Sequence, residues 1–368
     1  MPADPITDVH AATARFPLPS PLNIGALEMT HREYAFVRVR TEGGREGKAF
    51  ALSRDMPIAE IVRSVFAPRL IGADADVISA RWTDMYRATI PIGRVGVVMR
   101  ALSLLDIALW DVKAQRAAMP LWQLLGGLRP DLPVSMVAGY LSEGTRPAEL
   151  AEELLRQASR GYALLKVARS SDPRLTSEVL GTVQPRLPDG SRLVVDGLWV
   201  WRTVREATEE ITSWSCHEQL AWIEDPFPPE EVELCAAFRA ASSVPLALGD
   251  ELSDPHAFTA LFSKGAVDVA RVDATAIGGV TSALSVVHQA NAAHVEISPH
   301  VYPEVHVHLA AALPGCVAVE TFDPTGNNFD LSHKFVGGGP ELIDGRMHAP
   351  EVPGLGYELD WEMIDQHA

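Results

Sequence analysis

The feature that most constrains the fold is a repeat in the second part of the chain, where short apolar, β-branched runs alternate with helical patterns. Eight such runs follow one another: PVSMVAGY, ALLKVA, RLVVDGL, LAWIED, PLALGD, VDVARVD, HVEISPH and CVAVET. The ends of successive runs lie 21 to 30 residues apart, which suits one strand–helix unit. Eight consecutive units predict an α/β fold with a closed parallel barrel. An open, doubly wound sheet is the alternative.

The first 130 residues have a different pattern. Residues 33–52 alternate apolar and polar positions around Gly43-Gly44, which predicts a β-hairpin. Residues 57–125 have helical periodicity that ends at Gly126-Gly127, a helix stop. We therefore predict a small α+β domain over residues 1–130, before the barrel at 131–322.

Two further segments are predicted to complete this domain. The Pro-rich stretch PLPSPLNIG, residues 17–25, is interpreted as a mobile lid that excludes water from a pocket below it. The Gly- and Pro-rich segment 323–368 is too long to be a frayed end, and we expect it to pack back on the N-terminal domain.

Charge narrows the class of partner. The 48 acidic and 31 basic residues give a net charge of −17, which disfavours nucleic acid. The same field repels a small anionic substrate, so such a substrate needs a local cation, for which a metal ion is the obvious candidate. We expect a small-molecule substrate and, on base rates, a symmetric homo-oligomer between a dimer and an octamer.

Cysteine usage and the chain start suggest a compartment. Cys216, Cys235 and Cys316 form no CxxC pair and are interpreted as buried, reduced thiols of a cytoplasmic enzyme. The chain starts without the basic and apolar regions of a signal peptide. Charged residues interrupt the most apolar stretch, residues 95–112, so no membrane span is predicted.

Ionisable residues collect where the predicted strands end, the side of a parallel barrel at which active sites form. Strand residues that face a barrel interior are normally apolar, so a convergence of charges there is not explained by packing. The residues concerned are Lys166, Asp196, Glu224, Asp250, Asp273, His300 and Glu320.

Three of these carboxylates predict a metal site. Asp196, Glu224 and Asp250 end three consecutive strands, which lie about 4.8 Å apart in a sheet, so the side chains converge. Three buried anions repel one another unless a cation joins them. An all-oxygen ligand set favours Mg²⁺. The alternative, in which each acid caps the following helix, is sufficient for one Asp but not for three in register.

The remaining residues predict proton transfer. His300 and Asp273 end neighbouring strands, so the carboxylate can orient the imidazole and raise its basicity. Lys166 lies in an apolar strand of a chain that otherwise prefers arginine, and an inward orientation would bring its amine to the metal centre. A snorkelling surface lysine is the alternative.

Two other motifs are discounted. His306 and His308 lie two apart on a predicted helix, so they point in different directions and cannot chelate one ion. The sequence Gly278-Gly279-Val280-Thr281 resembles a phosphate-binding helix start, but it lacks the rest of a nucleotide-binding motif.

The chain as a whole resembles the enolase superfamily, in its mandelate racemase-like branch. The motifs are LLDIALWDVKAQRAAMPLWQLLGG, WIEDPF, GDEL, VDATAIGGVT, ISPH, CVAVET and PGLGYELD. The resemblance implies a modified TIM (β/α)-barrel, an N-terminal capping domain completed by the C-terminal tail, and one Mg²⁺. It also implies abstraction of the proton next to a substrate carboxylate.

The resemblance also implies roles for individual residues. Asp196, Glu224 and Asp250 match the metal ligands, with Glu251 as the fallback for the third. His300 and Asp273 match the general-base dyad, Glu320 an electrophile beside the substrate carboxylate, and Lys166 the first lysine of a KxK pair. Further candidates for the site are Tyr140, Leu198 and Ser20.

Three departures from the family pattern limit the reaction. The second lysine of the pair is Ala168, the lysine after the dyad aspartate is Ala276, and the asparagine after the first ligand is Leu198. Racemisation by two bases needs one on each face of the substrate, so dehydration is favoured. In that hypothesis His300 takes the α-proton, Lys166 and a protonated Glu320 stabilise the intermediate, and His300 returns the proton to a leaving hydroxyl. One-base epimerisation or lactonisation, and a barrel that binds Mg²⁺ and an acid without turnover, are the alternatives.

Overall fold

The computed structural model of the chain describes residues 3–24, 27–139, 146–214, 216–324 and 329–368, and for residues 20, 22–24, 27 and 28 it describes the backbone alone. Tyr140 and the side chain of Ser20 therefore lie outside the described structure. Within these ranges, no helix combines the length and the apolar character that a membrane crossing requires.

An antiparallel sheet begins the chain. Its strands are β1 (Ile6–Ile24), β2 (Leu27–Thr41) and β3 (Glu46–Leu52), in that order across the sheet. Val37 pairs with Ala49, and Gly44 has a φ of 76° in the turn. The predicted hairpin over 33–52 is confirmed.

The stretch interpreted as a lid loop is a strand instead. The described residues 17–24 belong to β1, with Leu22 paired to Met29 and an irregularity between Pro17 and Leu22. Because β1 is at the edge of its sheet, the missing N–H groups of its prolines can face away from β2. The described residues 17–24 are thus strand and not loop, since an edge strand tolerates proline. Residue 25 lies outside the described structure, and the role of this stretch as a lid stays a prediction.

Five helices follow, and the longest of them joins the two halves of the molecule. They are α1 (Ile58–Ile61), α2 (Ala67–Leu70), α3 (Ile78–Thr89), α4 (Val97–Arg116) and α5 (Leu121–Leu124). Helix α4 is buried on most faces because it packs between the N-terminal sheet and the barrel.

The eight predicted barrel strands are all present, and helices lie between them in sequence. The strands are β4 (Asp131–Gly139), β5 (Leu164–Ala168), β6 (Arg192–Asp196), β7 (Trp222–Glu224), β8 (Leu246–Leu248), β9 (Val269–Ala270), β10 (Glu296–Ile297) and β11 (Val319–Phe322). The helices are α6 (Pro147–Ala158), α7 (Pro173–Val183), α8 (Val204–Ser213), α9 (Val232–Ala241), α10 (Pro255–Ser263), α11 (Gly279–Ala292) and α12 (Pro303–Ala312).

The sheet closes into a barrel. Neighbouring strands pair in parallel from β4 through β10. Strand β11 returns to pair with β4, with Val319 opposite Val134, and a bridge from Ile297 to Cys316 joins β10 to the start of β11. These pairings exclude the open, doubly wound sheet.

The C-terminal segment contacts both halves. It contains β12 (Val336–Gly338), β13 (Glu341–Ile343), β14 (Arg346–His348), β15 (Tyr357–Leu359) and α13 (Trp361–Gln366). Strand β14 pairs antiparallel with the start of β4, and the ring of His367 stacks on Phe16 of β1 with centroids 4.6 Å apart. The boundaries at 130 and 322 stay a prediction.

Candidate active site at the mouth of the barrel

The strand ends bring all seven predicted site residues to one mouth of the barrel. Asp196 and Glu224 lie opposite each other at the ends of β6 and β7. Lys166, Asp250, Asp273 and Glu320 are buried, and His300 is 15 % exposed. Five of the seven line one pocket under the N-terminal sheet: Lys166, Asp196, Asp250, His300 and Glu320.

A cluster of acidic oxygens forms within this mouth. Oxygens of Glu224, Asp225 and Asp250 all lie within 4.8 Å of one another, so the cluster contains two of the three predicted ligands and one residue that sequence reasoning missed. Asp225 follows Glu224 directly, and its φ of 44° turns its side chain toward Asp250. Adjacent acidic residues at a strand end were the available signal.

Hydrogen bonding in the cluster is incomplete. Among the described residues, no N–H or hydroxyl donates to either carboxylate oxygen of Asp225 or to Oδ1 of Asp250, although all three atoms are buried. Burial and the neighbouring acids, Asp250 above all, raise the pKa of Asp225 well above the ordinary value. A buried carboxylate without partners is costly. Orphaned oxygens in a three-acid group suit a hard divalent cation such as Mg²⁺.

Lys166 is held among the acids. Its Nζ lies 2.5 Å from Glu224 Oε1, 3.1 Å from Asp196 Oδ2 and 3.6 Å from Glu320 Oε1. Burial lowers the pKa of the amine, but these carboxylates raise it more, and the net pKa lies well above the ordinary value. Lys166 is therefore an inward-facing ammonium group and not a snorkelling surface residue.

A second buried cation was not predicted. Arg271 is fully buried, and its guanidinium contacts Glu320 and lies 3.1 Å from Glu224 Oε2. Its Nη1 donates to both the carbonyl and the hydroxyl of Ser298 at 2.8 Å. Arg271 thus connects a predicted metal ligand, Glu320 and the strand that precedes His300.

The predicted dyad has the expected geometry. His300 Nδ1 donates to Asp273 Oδ2 at 3.2 Å, and His300 Nε2 lies 3.7 Å from Asp250 Oδ2. Burial lowers the pKa of His300, whereas the hydrogen bond to Asp273 and the charges of Asp250 and Asp273 raise it above the ordinary value. Asp273 also accepts from the N–H and hydroxyl of Thr275, both at 2.7 Å. The imidazole is consequently held in one orientation, with Nε2 facing the acidic cluster.

The carboxylate of Glu251 already has two cationic partners in the protein. Its carboxylate pairs with Arg54, which follows β3, and accepts from Arg100 of α4 at 2.6 Å. These contacts join the capping domain to the mouth of the barrel. They favour Asp250 over Glu251 as a metal ligand.

The discounted histidines have structural partners. His306 Nδ1 donates to Val301 O at 2.6 Å, and its Nε2 accepts from the N–H of Ala274 at 2.8 Å. The Nδ1 of His308 accepts from the N–H of Trp122, and its Nε2 donates to the carbonyl of Leu355. Burial lowers the pKa of His308 to about 4. Both nitrogens of each ring are engaged by backbone groups, which leaves neither ring free to bind an ion.

The Gly278-Gly279 turn binds a carboxylate of the chain itself. Asp106 of α4 accepts from the N–H of Thr281 at 2.8 Å and from its hydroxyl at 2.7 Å. A Cβ on Gly279 would lie 2.3 Å from Asp106 Oδ2, so the glycine is required for this approach. The start of α11 is therefore a docking point for α4.

Left-handed residues other than glycine surround the mouth. Leu198 and Trp199 after β6 have φ values of 53° and 55°, and Val301 and Tyr302 after His300 have values of 40° and 42°. Such conformations cost about 1–3 kcal/mol each and cluster at functional sites. Leu198 lines the pocket, as predicted for a site residue.

Comparison with known proteins gives a consistent result. Residues 6–126 match the family model "Mandelate racemase / muconate lactonizing enzyme, N-terminal domain", and residues 149–363 match "Enolase C-terminal domain-like". The chain is 29 % identical over 362 residues to L-talarate/galactarate dehydratase of Salmonella typhimurium, covering 97 % of this chain and 85 % of the relative. It is 29 % identical over 373 residues to 3,6-anhydro-alpha-L-galactonate cycloisomerase of Streptomyces coelicolor, covering 99 % of each.

Solved structures have the same architecture. A racemase from Streptomyces coelicolor A3(2) with bound magnesium superposes with a TM-score of 0.89 at 27 % identity, covering 99 % of both chains. L-Talarate dehydratase from Polaromonas sp. JS666, in complex with Mg and L-glucarate, superposes with a TM-score of 0.87 at 28 % identity, covering 99 % of this chain and 97 % of that one.

Proposed function

Because the chain belongs to the mandelate racemase/muconate lactonizing enzyme family of the enolase superfamily, we propose that it is a Mg²⁺-dependent acid dehydratase. It removes the proton α to the carboxylate of a 2,3-dihydroxy acid and eliminates the β-hydroxyl as water. The observation that carries the proposal is the convergence of the His300–Asp273 dyad with the unsatisfied acidic cluster at one pocket. Relatives named as dehydratases of talarate/galactarate, gluconate and arabinonate support it.

The acidic cluster is the proposed place for Mg²⁺. Glu224 and Asp250 are the proposed ligands, with a third carboxylate from Asp196 or Asp225. The bound ion supplies positive charge that offsets the charge of the substrate carboxylate and of the intermediate. The net charge of −17 disfavours an anionic substrate, and this local positive charge offsets that effect.

Proton movement is assigned to the dyad. His300 Nε2 takes the α-proton while Asp273 holds the opposite ring nitrogen and stabilises the imidazolium. His300 then gives the proton to the β-hydroxyl, the C–O bond breaks, and water leaves. The enol that remains tautomerises to a 2-keto acid.

The charge that develops on the carboxylate side is stabilised by two residues. The Lys166 ammonium lies 3.6 Å from Glu320 Oε1, an atom without a hydrogen-bond partner among the described residues. When it carries a proton, Glu320 Oε1 donates to the intermediate, while Oε2 remains bound to Arg271. Preorganised donors of this kind supply much of an enzyme's rate enhancement.

A one-base isomerisation or cycloisomerisation is the second candidate. Ala168 and Ala276 leave no lysine at the family's positions for a further base, and the relative from Streptomyces coelicolor is named a cycloisomerase. This reaction retains His300 as the base but releases no water.

The test combines two readouts on the metal-loaded protein. A panel of hydroxy acids is incubated in D₂O with Mg²⁺, and α-deuterium incorporation and 2-keto acid are both measured. We expect both with at least one acid, and neither with His300→Asn. Exchange without keto acid would support the second candidate, and the absence of both exchange and keto acid with every acid would leave a binding protein.

A further inference from the structure

We propose that the part of the substrate remote from its carboxylate is apolar, an aromatic ring or a branched alkyl group, and not a polyhydroxylated chain. The proposal rests on the proposed function, since it concerns the same pocket. It is carried by the residues that line the pocket away from the acidic cluster.

One wall is formed by two apolar residues held in strained conformations. Leu198 and Trp199 follow the predicted ligand Asp196, and both line the pocket. Their left-handed backbone is fixed by two hydrogen bonds, from Leu198 N to Asp196 Oδ1 at 3.0 Å and from Trp199 N to Asp225 O at 2.8 Å. Trp199 remains 38 % exposed. An exposed large aromatic side chain on a backbone that costs energy to hold in the left-handed region indicates a functional surface.

Aromatic residues also line the pocket from the C-terminal side of the barrel. The rings of Phe322 and Phe329 stack with centroids 6.0 Å apart and planes 5° apart. The Arg32 guanidinium lies 5.7 Å from the Phe329 ring centroid, and its Nε donates to Phe329 O at 2.8 Å. Further apolar lining comes from Met29, Leu52 and Val137. These surfaces favour a flat or branched hydrophobic group between them.

Polar groups of the same lining are largely engaged by the protein. Asp330 accepts from the hydroxyls of Tyr34 and Ser332, and the Tyr302 hydroxyl accepts from Leu52 N at 2.9 Å. Arg54 pairs with Glu251.

Glu304 adds one donor to the described lining, beside the Tyr302 hydroxyl and the Arg32 guanidinium. Burial, with Asp330 nearby, raises its pKa to about 8, so at neutral pH its carboxyl is mostly protonated and can serve one acceptor. The described lining thus offers few polar partners to a chain of several hydroxyls, and each hydroxyl buried without a partner costs about 1–3 kcal/mol.

The experiment compares two acids that share the same reacting end. The first is 2,3-dihydroxy-3-phenylpropanoate and the second is a hexonate, a six-carbon polyhydroxylated acid with the same 2,3-diol. With Mg²⁺ present, the wild-type protein is assayed on each acid for α-deuterium exchange and for the catalytic efficiency, kcat/KM, with which the keto acid appears. We expect the efficiency with the phenyl acid to exceed that with the hexonate by at least about tenfold.

Two variants locate the preference. Leu198→Asn adds a hydrogen-bonding group to the wall, and we expect it to reduce the ratio of the two catalytic efficiencies by about tenfold, mainly by weakening apparent binding of the phenyl acid. Trp199→Phe keeps an aromatic ring and should leave the ratio nearly unchanged. Equal or better turnover of the hexonate by the wild type would overturn the apolar assignment while the proposed function stands. Absence of both exchange and keto acid with the two acids and with the wider hydroxy-acid panel would defeat the proposed function, and this inference with it.

Discussion

Two groups of buried acids differ in their hydrogen bonding. One lies where α4 packs on its neighbours, and the other lies at the mouth of the barrel. In the first group, Asp106 accepts from Thr281, and Asp111 accepts from the N–H groups of Lys48 and Leu355 at 3.2 and 2.9 Å. In the second group, no N–H or hydroxyl of the described chain donates to three oxygens of Asp225 and Asp250. Buried carboxylates with a full set of protein donors hold the domains together, whereas those left unsatisfied are suited to a cation.

Replacing His300 is expected to have the largest effect on the chemistry at the barrel mouth. His300→Asn keeps the shape of the side chain but removes the proton acceptor, so we expect α-proton exchange to fall by about 10²–10⁴-fold. Mg²⁺ affinity, measured by calorimetry, should change little. Exchange at the wild-type rate would show that His300 is not the base.

Replacing Arg271, the buried cation that the sequence did not predict, should lower the stability of the fold and disturb the site. Arg271→Met leaves Glu320 and Glu224 without their fully buried partner, and loss of one member of such a pair costs about 3–5 kcal/mol. Denaturant unfolding measures this loss. Arg271→Lys, which keeps the charge, should lose clearly less, and equal stability of Arg271→Met and the wild type would contradict the assignment.

Matched substitutions in the two acidic groups should have opposite effects. Asp225→Asn removes an unsatisfied buried acid, so unfolding of the metal-free protein should require more free energy, while Mg²⁺ binds at least about tenfold more weakly. Asp111→Asn replaces an acceptor with a donor opposite a backbone N–H and should cost about 1–3 kcal/mol. Its Mg²⁺ affinity should be unchanged. A similar loss of Mg²⁺ affinity in both variants would remove the distinction between the two groups.

The last prediction concerns Asp106 and the pH dependence of the free energy of unfolding. Burial raises the pKa of this carboxyl to about 7 in the folded chain, against an ordinary value of 3.8. The folded state therefore binds the proton more tightly, so this group adds stability as the pH falls from 8 toward 5, by at most about 1.4 kcal/mol per unit. Asp106→Asn removes the titrating group, and its unfolding free energy should rise less over that range than that of the wild type. Identical pH profiles would show that Asp106 does not titrate as described.

The barrel was predictable because its signal is local. Each strand is a short apolar run, each intervening segment is amphipathic, and strand ends in parallel register bring Asp196 and Glu224 together without further information. The contacts of His300 with Asp273 follow from neighbouring strands in the same way.

Other parts of the site depend on orientation and on distant pairing. Arg271 was missed because arginine is the common cation of this chain, and the sequence does not show that its side chain crosses the barrel interior. Asp225 was missed because its role depends on a left-handed backbone. The prolines of residues 17–21 suggested a loop because the edge position of β1 is set by the rest of the sheet.

The pairing around β4 has a consequence for how the molecule is made. Strand β14 pairs with the first half of β4, and β11 pairs with the second half. Both partners follow β4 in the sequence by some 180 to 215 residues. Contacts this distant in sequence make folding slow. During translation the first barrel strand must therefore remain without these neighbours until most of the polypeptide has left the ribosome, which leaves this edge exposed on the nascent chain.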